Sequence, residues 1–169
     1  MSLYKKILCP VDGSPTSEVG MREAASLAKS MGAQLRFFHV MEFQPAMLGY
    51  EGGPVMPAMF DALRQSTAEV VARARKFALE QNIEATVGSV EAIGTRTSDS
   101  IIEEARSYGA DLIVLGTHGR RGVRRMLLGS DAEAVAREAP CAVLLVRAAE
   151  SLSKQGKQSS RGSVRSNNS

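Results

Sequence analysis

The stretch that decides the fold is residues 112–119, LIVLGTHG, which is followed after nine residues by Gly129-Ser130. It starts with an apolar run, and a segment of helical character begins at Ser130. A strand, a glycine-rich loop and a helix start form an arrangement typical of phosphate sites. Glycines let the backbone approach an anion, and the free amides at a helix start point toward it. The stretch therefore predicts a site for a nucleotide or another phosphorylated small molecule.

Outward from this stretch, apolar strand-like runs alternate with helical patterns. We predict strands over Tyr4–Val11, Leu35–Met41, Ala85–Val90, Asp111–Leu115 and Ala142–Val146. Helices are expected from Ser14 to Gly32, over about 58–81, from Ser98 to Gly109 and from Ser130 to Glu138. The three serines are the expected N-caps, and Pro15 is expected at the first helical position. Near-continuous apolar strands that alternate with helices predict an α/β fold, a single doubly wound domain whose five-stranded parallel sheet carries helices on both faces.

Composition limits the class of protein. The chain has 169 residues, 44% hydrophobic and 23% charged, which is ordinary for one globular domain. No apolar run approaches the roughly 18 residues that span a bilayer, so we expect a cytoplasmic protein. The two cysteines form no CxxC pair and are interpreted as small buried residues rather than a disulfide, redox or metal site.

The positive charge is concentrated at the end of the chain. The net charge is +3, but residues 151–169 contribute +4 and the remainder −1. This end is also rich in Ser and nearly free of apolar residues. We therefore expect a folded domain over 1–149 and a disordered basic Ser-rich tail over 150–169. Its few scattered charges do not indicate a nucleic-acid or membrane partner.

The turn after the first strand is a second candidate binding element. In open α/β sheets, ligands bind beyond the carboxyl ends of the strands, where the strand order reverses. Asp12 follows the first strand directly. Its carboxylate could accept hydrogen bonds from a ribose or an adenine amino group, or it could instead cap the next helix. Both roles remain open at this stage.

The glycine-rich loop matches neither of the two common phosphate motifs, because it contains no GK[ST] and no G-x-G-x-x-G. Four arginines within residues 120–125 add the positive charge that an anion site needs. The Ser130 hydroxyl could cap the following helix or reach a phosphate. His118 has no paired carboxylate in its own motif, which favours a ligand contact or a loop-structuring role over a general base.

Three separated segments of the chain resemble the universal stress protein (UspA-like) family. They are Ile7–Ser14, the strand ending Phe38-His39-Val40, and the run from Asp111 to Val146. The third segment carries G-x2-G-x9-G-[ST], which resembles the signature of that family's ATP-binding branch. The resemblance covers about residues 3–147. It implies the sheet order 3-2-1-4-5, a fold similar to the adenine nucleotide alpha hydrolases, and a homodimer through the last strand, Ala142 to Val146.

The resemblance also implies a set of ATP-binding residues. Those at the adenine and ribose would be Pro10, Val11, Asp12, Val40, Leu115 and Gly116. Those at the phosphates would be His118, Gly119, Arg120, Gly129, Ser130 and the amide of Asp131. The Asp131 carboxylate departs from the small or β-branched residue usual there. It would repel a triphosphate unless a divalent cation such as Mg²⁺ or Mn²⁺ intervened or the side chain turned to solvent.

The function expected from these residues is that of an ATP-binding regulator in the stress response that acts through nucleotide-dependent interaction. The sequence offers no paired carboxylates and no nucleophile–base pair, so we expect no enzyme, or at most a weak ATPase. One alternative is a slow ATPase or nucleotidyl-transfer enzyme that uses His118, Asp12 or Asp131. The other is an interaction module without nucleotide, which the intact glycine pattern disfavours.

Overall fold

The computed structural model describes residues 3–43, 57–117 and 128–147. Five strands and four helices alternate along these ranges, which confirms the predicted α/β class. The strands are β1 Lys6–Pro10, β2 Gln34–Phe43, β3 Ala85–Ile93, β4 Leu112–Gly116 and β5 Ala142–Val146. The helices are α1 Pro15–Met31, α2 Pro57–Glu80, α3 Thr97–Tyr108 and α4 Ser130–Glu138. The expected tail over 150–169 lies outside the described residues, so the domain boundary stays a prediction.

The five strands form one parallel sheet in the order β3-β2-β1-β4-β5. This is the order that the family resemblance implies. The chain moves outward from β1 to β3 and then returns to the other side of β1 to add β4 and β5. The strand order therefore reverses between β1 and β4, where Ile7 pairs with Leu112 and Leu8 with Ile113. In open sheets such a reversal leaves a crevice beyond the carboxyl ends of the two strands.

Helices cover both faces of the sheet because side chains alternate between the faces along each strand. Ile7 and Cys9 belong to the apolar cluster that includes residues of α1 and α2. Leu8, between them, belongs to the cluster that includes residues of α3 and α4. All three side chains are fully buried, so the central strand is apolar on both sides. This explains its continuous hydrophobic sequence.

Local signals account for the first helix. Ser14 has extended backbone angles, and its hydroxyl accepts a hydrogen bond from the Ser17 amide at 3.1 Å, while Pro15 occupies the first helical turn. Gly32 ends α1 in the left-handed conformation, with φ at 64°. These residues were predicted for those positions, and they lie within a few residues of the groups that they cap.

The predicted caps of two other helices are wrong. Arg96 rather than Ser98 is the N-cap of α3, and Ser98 lies inside the helix, 1% exposed. Gly129 rather than Ser130 is the N-cap of α4, and Ser130 is the first helical residue. Neither cap residue provides a side-chain hydrogen bond. Packing accounts for the start of α3, because this helix buries Ser98 together with Ile101 and Ile102.

Strands β2 and β3 are longer than predicted. The sequence prediction ended β2 at Met41, before the polar Glu42. In the structure the pairing continues to Glu42 with Ala92 and Phe43 with Ile93. Phe43 is buried and stacks on Phe60 of α2, with ring centroids 4.2 Å apart. This contact extends the buried part of the strand past a single polar residue.

Candidate functional site

The turn after β1 is held by a compact set of hydrogen bonds. The Val11 amide donates to the Phe38 carbonyl at 2.8 Å, one step beyond the last paired residue of β1. The Asp12 carboxylate accepts from the Ser14 amide at 2.9 Å through Oδ1. Asp12 thus has a local structural role in the turn that joins the carboxyl end of β1 to α1.

Two buried side chains complete this turn. The ring of His39 lies 2.7 Å from the Val11 carbonyl, measured from Nδ1. The Ser17 hydroxyl accepts from the Asp12 amide at 3.2 Å. In the sequence, His39 stands out only as part of the strand ending Phe38-His39-Val40, and Ser17 does not stand out at all. The His39 contact spans 28 positions and depends on how β2 packs beside the turn. The Ser17 contact is local, because Ser17 is five positions from Asp12 in the first turn of α1.

The end of β4 lies directly against the start of α1. A Cβ on Gly116 would be 2.8 Å from both the Cγ2 and the carbonyl oxygen of Thr16. From the other side, a Cβ on Gly20 would be 3.4 Å from the Gly116 amide nitrogen. Only glycine at position 116 allows this approach. It places the β1–α1 turn and the start of the glycine-rich loop side by side.

The two ends of the glycine-rich loop are joined to each other and to the sheet. The Thr117 amide donates to the Val146 carbonyl of β5 at 2.9 Å. The Gly129 amide donates to the Thr117 carbonyl, also at 2.9 Å. The start of α4 is thereby brought to the carboxyl end of β4. His118, Gly119 and Arg120 lie outside the described residues, so their roles at the phosphates stay predictions.

The first turn of α4 has exposed residues and carries negative side chains. Gly129 is its N-cap with φ at −61° and ψ at 146°. Ser130 and Asp131 are exposed, and Asp131 and Glu133 provide two acidic side chains in this turn. Carboxylates at this position are favourable for the helix dipole. A bound anion would experience the attraction of the amides together with the repulsion of these acids.

The remaining predicted residues line the same edge of the sheet. Pro10 ends β1, opposite Phe38 in register, and is half-buried. Leu115 is buried in the α3–α4 cluster, and half-buried Val40 packs against that cluster. The structure therefore groups the described candidates at adjacent carboxyl ends of β2, β1 and β4 and at the start of α4.

Two clefts of the described part lie beside this edge rather than in it. One, of about 220 Å³, lies between α1 and α2 and is lined by Val11 and Gly13 among others. The other, of about 500 Å³, lies along α3 and includes Phe38 and Val90. Neither contains Asp12 or Gly129. Residues 118–127 lie outside the described ranges, and we locate the predicted crevice from the strand order instead.

The cysteines and acidic residues form no further centre in the part of the chain described. Within those ranges, no group of three or more His, Cys, Asp or Glu side chains could hold a metal ion. Cys9 and Cys141 are free thiols, the first buried and the second half-buried. Burial raises the pKa of the Cys9 thiol far above its ordinary value, which keeps it protonated. As for the helices of the described ranges, none is long and apolar enough to cross a membrane.

Comparison with known proteins gives consistent matches along the chain. The sequence profile of the universal stress protein family matches residues 3–147. A universal stress protein of Methanocaldococcus jannaschii is 33% identical over 146 residues, which is 86% of this chain and 84% of that protein. A putative universal stress protein of Staphylococcus epidermidis is 35% identical over 156 residues, covering 89% and 88% of the two chains.

Solved structures agree with the fold. A crystal structure of a universal stress protein family member from Burkholderia pseudomallei has a TM-score of 0.70 and 28% identity, covering 88% of this chain and 99% of that one. Two more distant structures contain a nucleotide. One is the Archaeoglobus fulgidus universal stress protein with dAMP, at TM-score 0.58 and 21% identity, covering 86% and 98% of the two chains. The other is an Arabidopsis thaliana family protein with AMP bound, at 0.60 and 14%, covering 85% and 91%. At these identities the likeness shows a shared fold alone.

Proposed function

The chain belongs to the universal stress protein family, and we propose that it is an adenine-nucleotide-binding member whose ligand is ATP. In this proposal it acts as a cytoplasmic regulator in the stress response through nucleotide-dependent interaction, with at most weak ATP hydrolysis. Nucleotides are present in the Archaeoglobus fulgidus and Arabidopsis thaliana structures of the same fold. Those ligands, dAMP and AMP, are nucleoside monophosphates, so the preference for ATP rests on this chain's own glycine pattern.

The observation that carries the proposal is the close approach at Gly116. The strand order reverses between β1 and β4, and a Cβ at Gly116 would be 2.8 Å from the Thr16 carbonyl oxygen. In this proposal, the turn bearing Asp12 and the two described ends of the glycine-rich loop, Thr117 and Gly129, border one crevice. One side offers a carboxylate for a sugar or base, and the other offers backbone amides at a helix start for phosphate.

Each element has a defined task in this proposal. Adenine and ribose lie against Pro10, Val11, Asp12, Val40, Leu115 and Gly116. The phosphates reach the amides at the start of α4, with Ser130 adding a hydroxyl and His118, Gly119 and Arg120 completing the loop. Asp131 disfavours the most highly charged ligand, so Mg²⁺ or Mn²⁺ would accompany ATP and offset the repulsion.

We also propose that the chain forms a homodimer through β5. This strand lies at the end of the sheet and pairs with β4 in the described structure. Its residues Val143 to Val146 are only half-buried in the single chain, and Ala142 is exposed. An apolar edge strand is prone to pair with another chain unless it is covered. A second copy would cover it.

The test begins with the purified protein. Heat-released small molecules are identified by mass spectrometry, and ATP, ADP and AMP are then titrated by calorimetry, with and without Mg²⁺. A second assay measures ATP hydrolysis. We expect bound adenine nucleotide and little turnover. If no adenine nucleotide binds, the chain is an interaction module, whereas turnover that is lost on His118→Ala or Asp131→Ala would make it an enzyme.

Gly129→Val gives a local version of the test. The backbone angles of Gly129 are accessible to any residue, so valine adds bulk at the phosphate approach without torsional strain. Arg96→Val is the matched control, because Arg96 is also an N-cap without a side-chain cap bond, at φ −71° and ψ 146°. We expect Gly129→Val to abolish ATP binding and Arg96→Val to leave it intact. Equal affinities in the two variants would show that the phosphates bind elsewhere.

A further inference from the structure

A single peptide group beside the proposed site is held at both ends by buried side chains. The peptide joins Val11 to Asp12. Its carbonyl oxygen lies 2.7 Å from Nδ1 of His39, and its amide donates to Oγ of Ser17 at 3.2 Å. His39 is 3% exposed and Ser17 6% exposed. One contact comes from β2 and the other from α1, so two separate elements meet on the same peptide.

The direction of the first hydrogen bond follows from chemistry. A carbonyl oxygen only accepts, so Nδ1 of His39 carries the proton and donates. In the neutral ring this assigns the tautomer with the proton on Nδ1. The imidazole lies within the otherwise largely apolar run of β2, LRFFHVMEF, where an aliphatic side chain would fill the same space. A polar ring at this position therefore has a specific use.

The position of the Val11–Asp12 peptide along the chain explains why a polar ring is useful at position 39. The regular pairing of β1 with β2 ends at Pro10 and Phe38, and Asp12 begins the turn that leaves the sheet. A peptide group is planar and rotates as a unit, so holding both its oxygen and its N–H removes that rotation. The Cα of Asp12 is part of the same plane. The Asp12 carboxylate is oriented further by the Ser14 amide, which donates a hydrogen bond to Oδ1 at 2.9 Å.

We propose that His39 and Ser17 are positioning residues that clamp the Val11–Asp12 peptide and so orient the Asp12 carboxylate toward the ribose or adenine of the bound nucleotide. This inference rests on the proposed function. A binding group that is already held in place loses little conformational freedom when the ligand arrives, which increases affinity. Neither positioning residue needs to touch the nucleotide.

The first test compares two variants of His39. Asparagine places an amide nitrogen close to the position of Nδ1 and retains the donor, whereas leucine fills the space without one. For folded variants, we expect His39→Leu to weaken ATP binding about tenfold, the factor for one lost hydrogen bond. His39→Asn should stay within about threefold of the wild type. Wild-type affinity in His39→Leu, or equal losses in the two variants, would overturn the proposal.

The second test approaches the same peptide from α1 and does not depend on His39 variants folding. Ser17→Ala removes the acceptor of the Asp12 amide. Ser30→Ala is the control in the same helix, because its exposed hydroxyl bonds only the Leu27 carbonyl in the described structure, at 3.0 Å. We expect about tenfold weaker ATP binding for Ser17→Ala and no change for Ser30→Ala. Unchanged affinity in Ser17→Ala would contradict the clamp.

A third measurement separates the clamp from nucleotide binding itself. Amide hydrogen exchange at Asp12 is followed by NMR in the nucleotide-free protein. We expect protection at Asp12 to fall about tenfold in His39→Leu, while Leu8 in β1 keeps its protection. If the wild type binds no adenine nucleotide, the proposed function fails and this measurement still decides whether the peptide is clamped. Unchanged exchange at Asp12 refutes the clamp even where ATP binds.

Discussion

Replacing Gly116 with alanine should destabilise the fold at the junction of β4 and α1. The added Cβ would lie 2.8 Å from the Thr16 Cγ2, 2.8 Å from its carbonyl oxygen and 3.0 Å from its carbonyl carbon. Carbon atoms pack at about 3.5–4.0 Å, so the shortfall is roughly 0.7 Å. Two of the three atoms are backbone and cannot rotate away, so the start of α1 must move.

The magnitude follows from this geometry. Gly116 is not among the described glycines with positive φ, which are Gly13, Gly32, Gly94 and Gly109. Gly116→Ala therefore carries a steric cost rather than a torsional one. Overpacking of this kind costs about 1–3 kcal/mol, and we expect about 2 kcal/mol in the free energy of unfolding. For a domain of this size that corresponds to a fall in Tm of about 4–8 °C.

The assay is urea unfolding followed by far-UV circular dichroism. It is repeated at several protein concentrations, because the proposed dimer would make stability concentration-dependent. Gly20→Ala is the matched control from the opposite side of the contact. Its Cβ would be 3.4 Å from the Gly116 amide nitrogen, an ordinary separation, and alanine is about 1 kcal/mol more favourable than glycine inside a helix. Gly20→Ala should therefore be neutral or stabilising. Equal effects of the two substitutions, or a Gly116→Ala change below about 0.5 kcal/mol, would refute the close approach.

Three further outcomes are expected. Ser98 is buried, and its hydroxyl has no hydrogen-bond partner among the described residues. Ser98→Ala should therefore raise the free energy of unfolding by about 0.5–1 kcal/mol in urea titrations. A loss of stability would mean that the hydroxyl has a hydrogen-bond partner. Asp131→Asn should strengthen metal-free ATP binding about three- to tenfold in calorimetry and should strengthen AMP binding less, because AMP carries less negative charge. Glu133→Gln is the control in the same helical turn. Equal gains for ATP and AMP in Asp131→Asn would contradict charge repulsion. Burial, and then the nearby negative charge of Asp111, raises the pKa of Cys141 above its ordinary value of 9.0. Alkylation of Cys141 near pH 8 should therefore be slower than that of a free thiol, and its rate should increase as the pH rises through 9. Cys9 should stay unreactive until the protein unfolds, and fast labelling of Cys9 in the native state would contradict its burial.

The elements predicted well are those whose signals are local. Ser14, Pro15 and Gly32 begin and end α1 as expected, because each acts on groups within one helical turn. The span of α4, Ser130 to Glu138, and that of β5, Ala142 to Val146, also match the prediction. In these segments propensity and hydrophobic pattern favour the same structure.

The elements predicted poorly are those where packing overrides a local signal. Ser98 has the residue type of a cap, yet it is buried within α3 because that helix starts earlier, at Thr97. Glu42 has the polarity of a strand end, yet β2 continues to Phe43, whose ring stacks on Phe60 of α2. A propensity difference is a fraction of a kcal/mol, whereas burying an aromatic ring contributes about 1.5–3 kcal/mol, so the tertiary contact prevails.

The sequence by itself determined the alternation of strands and helices, the apolar character of β1 and β4, and the glycine-rich loop between β4 and α4. These features come from residues that act on their own neighbours, and a periodic pattern preserves them along the chain. The tertiary structure alone decided which groups meet at the candidate site. His39 reaches the Val11 carbonyl across 28 positions. Gly116 lies against the backbone of Thr16, with two strands and two helices between them in the sequence. Contacts at such separations depend on strand order and register, which no single segment encodes.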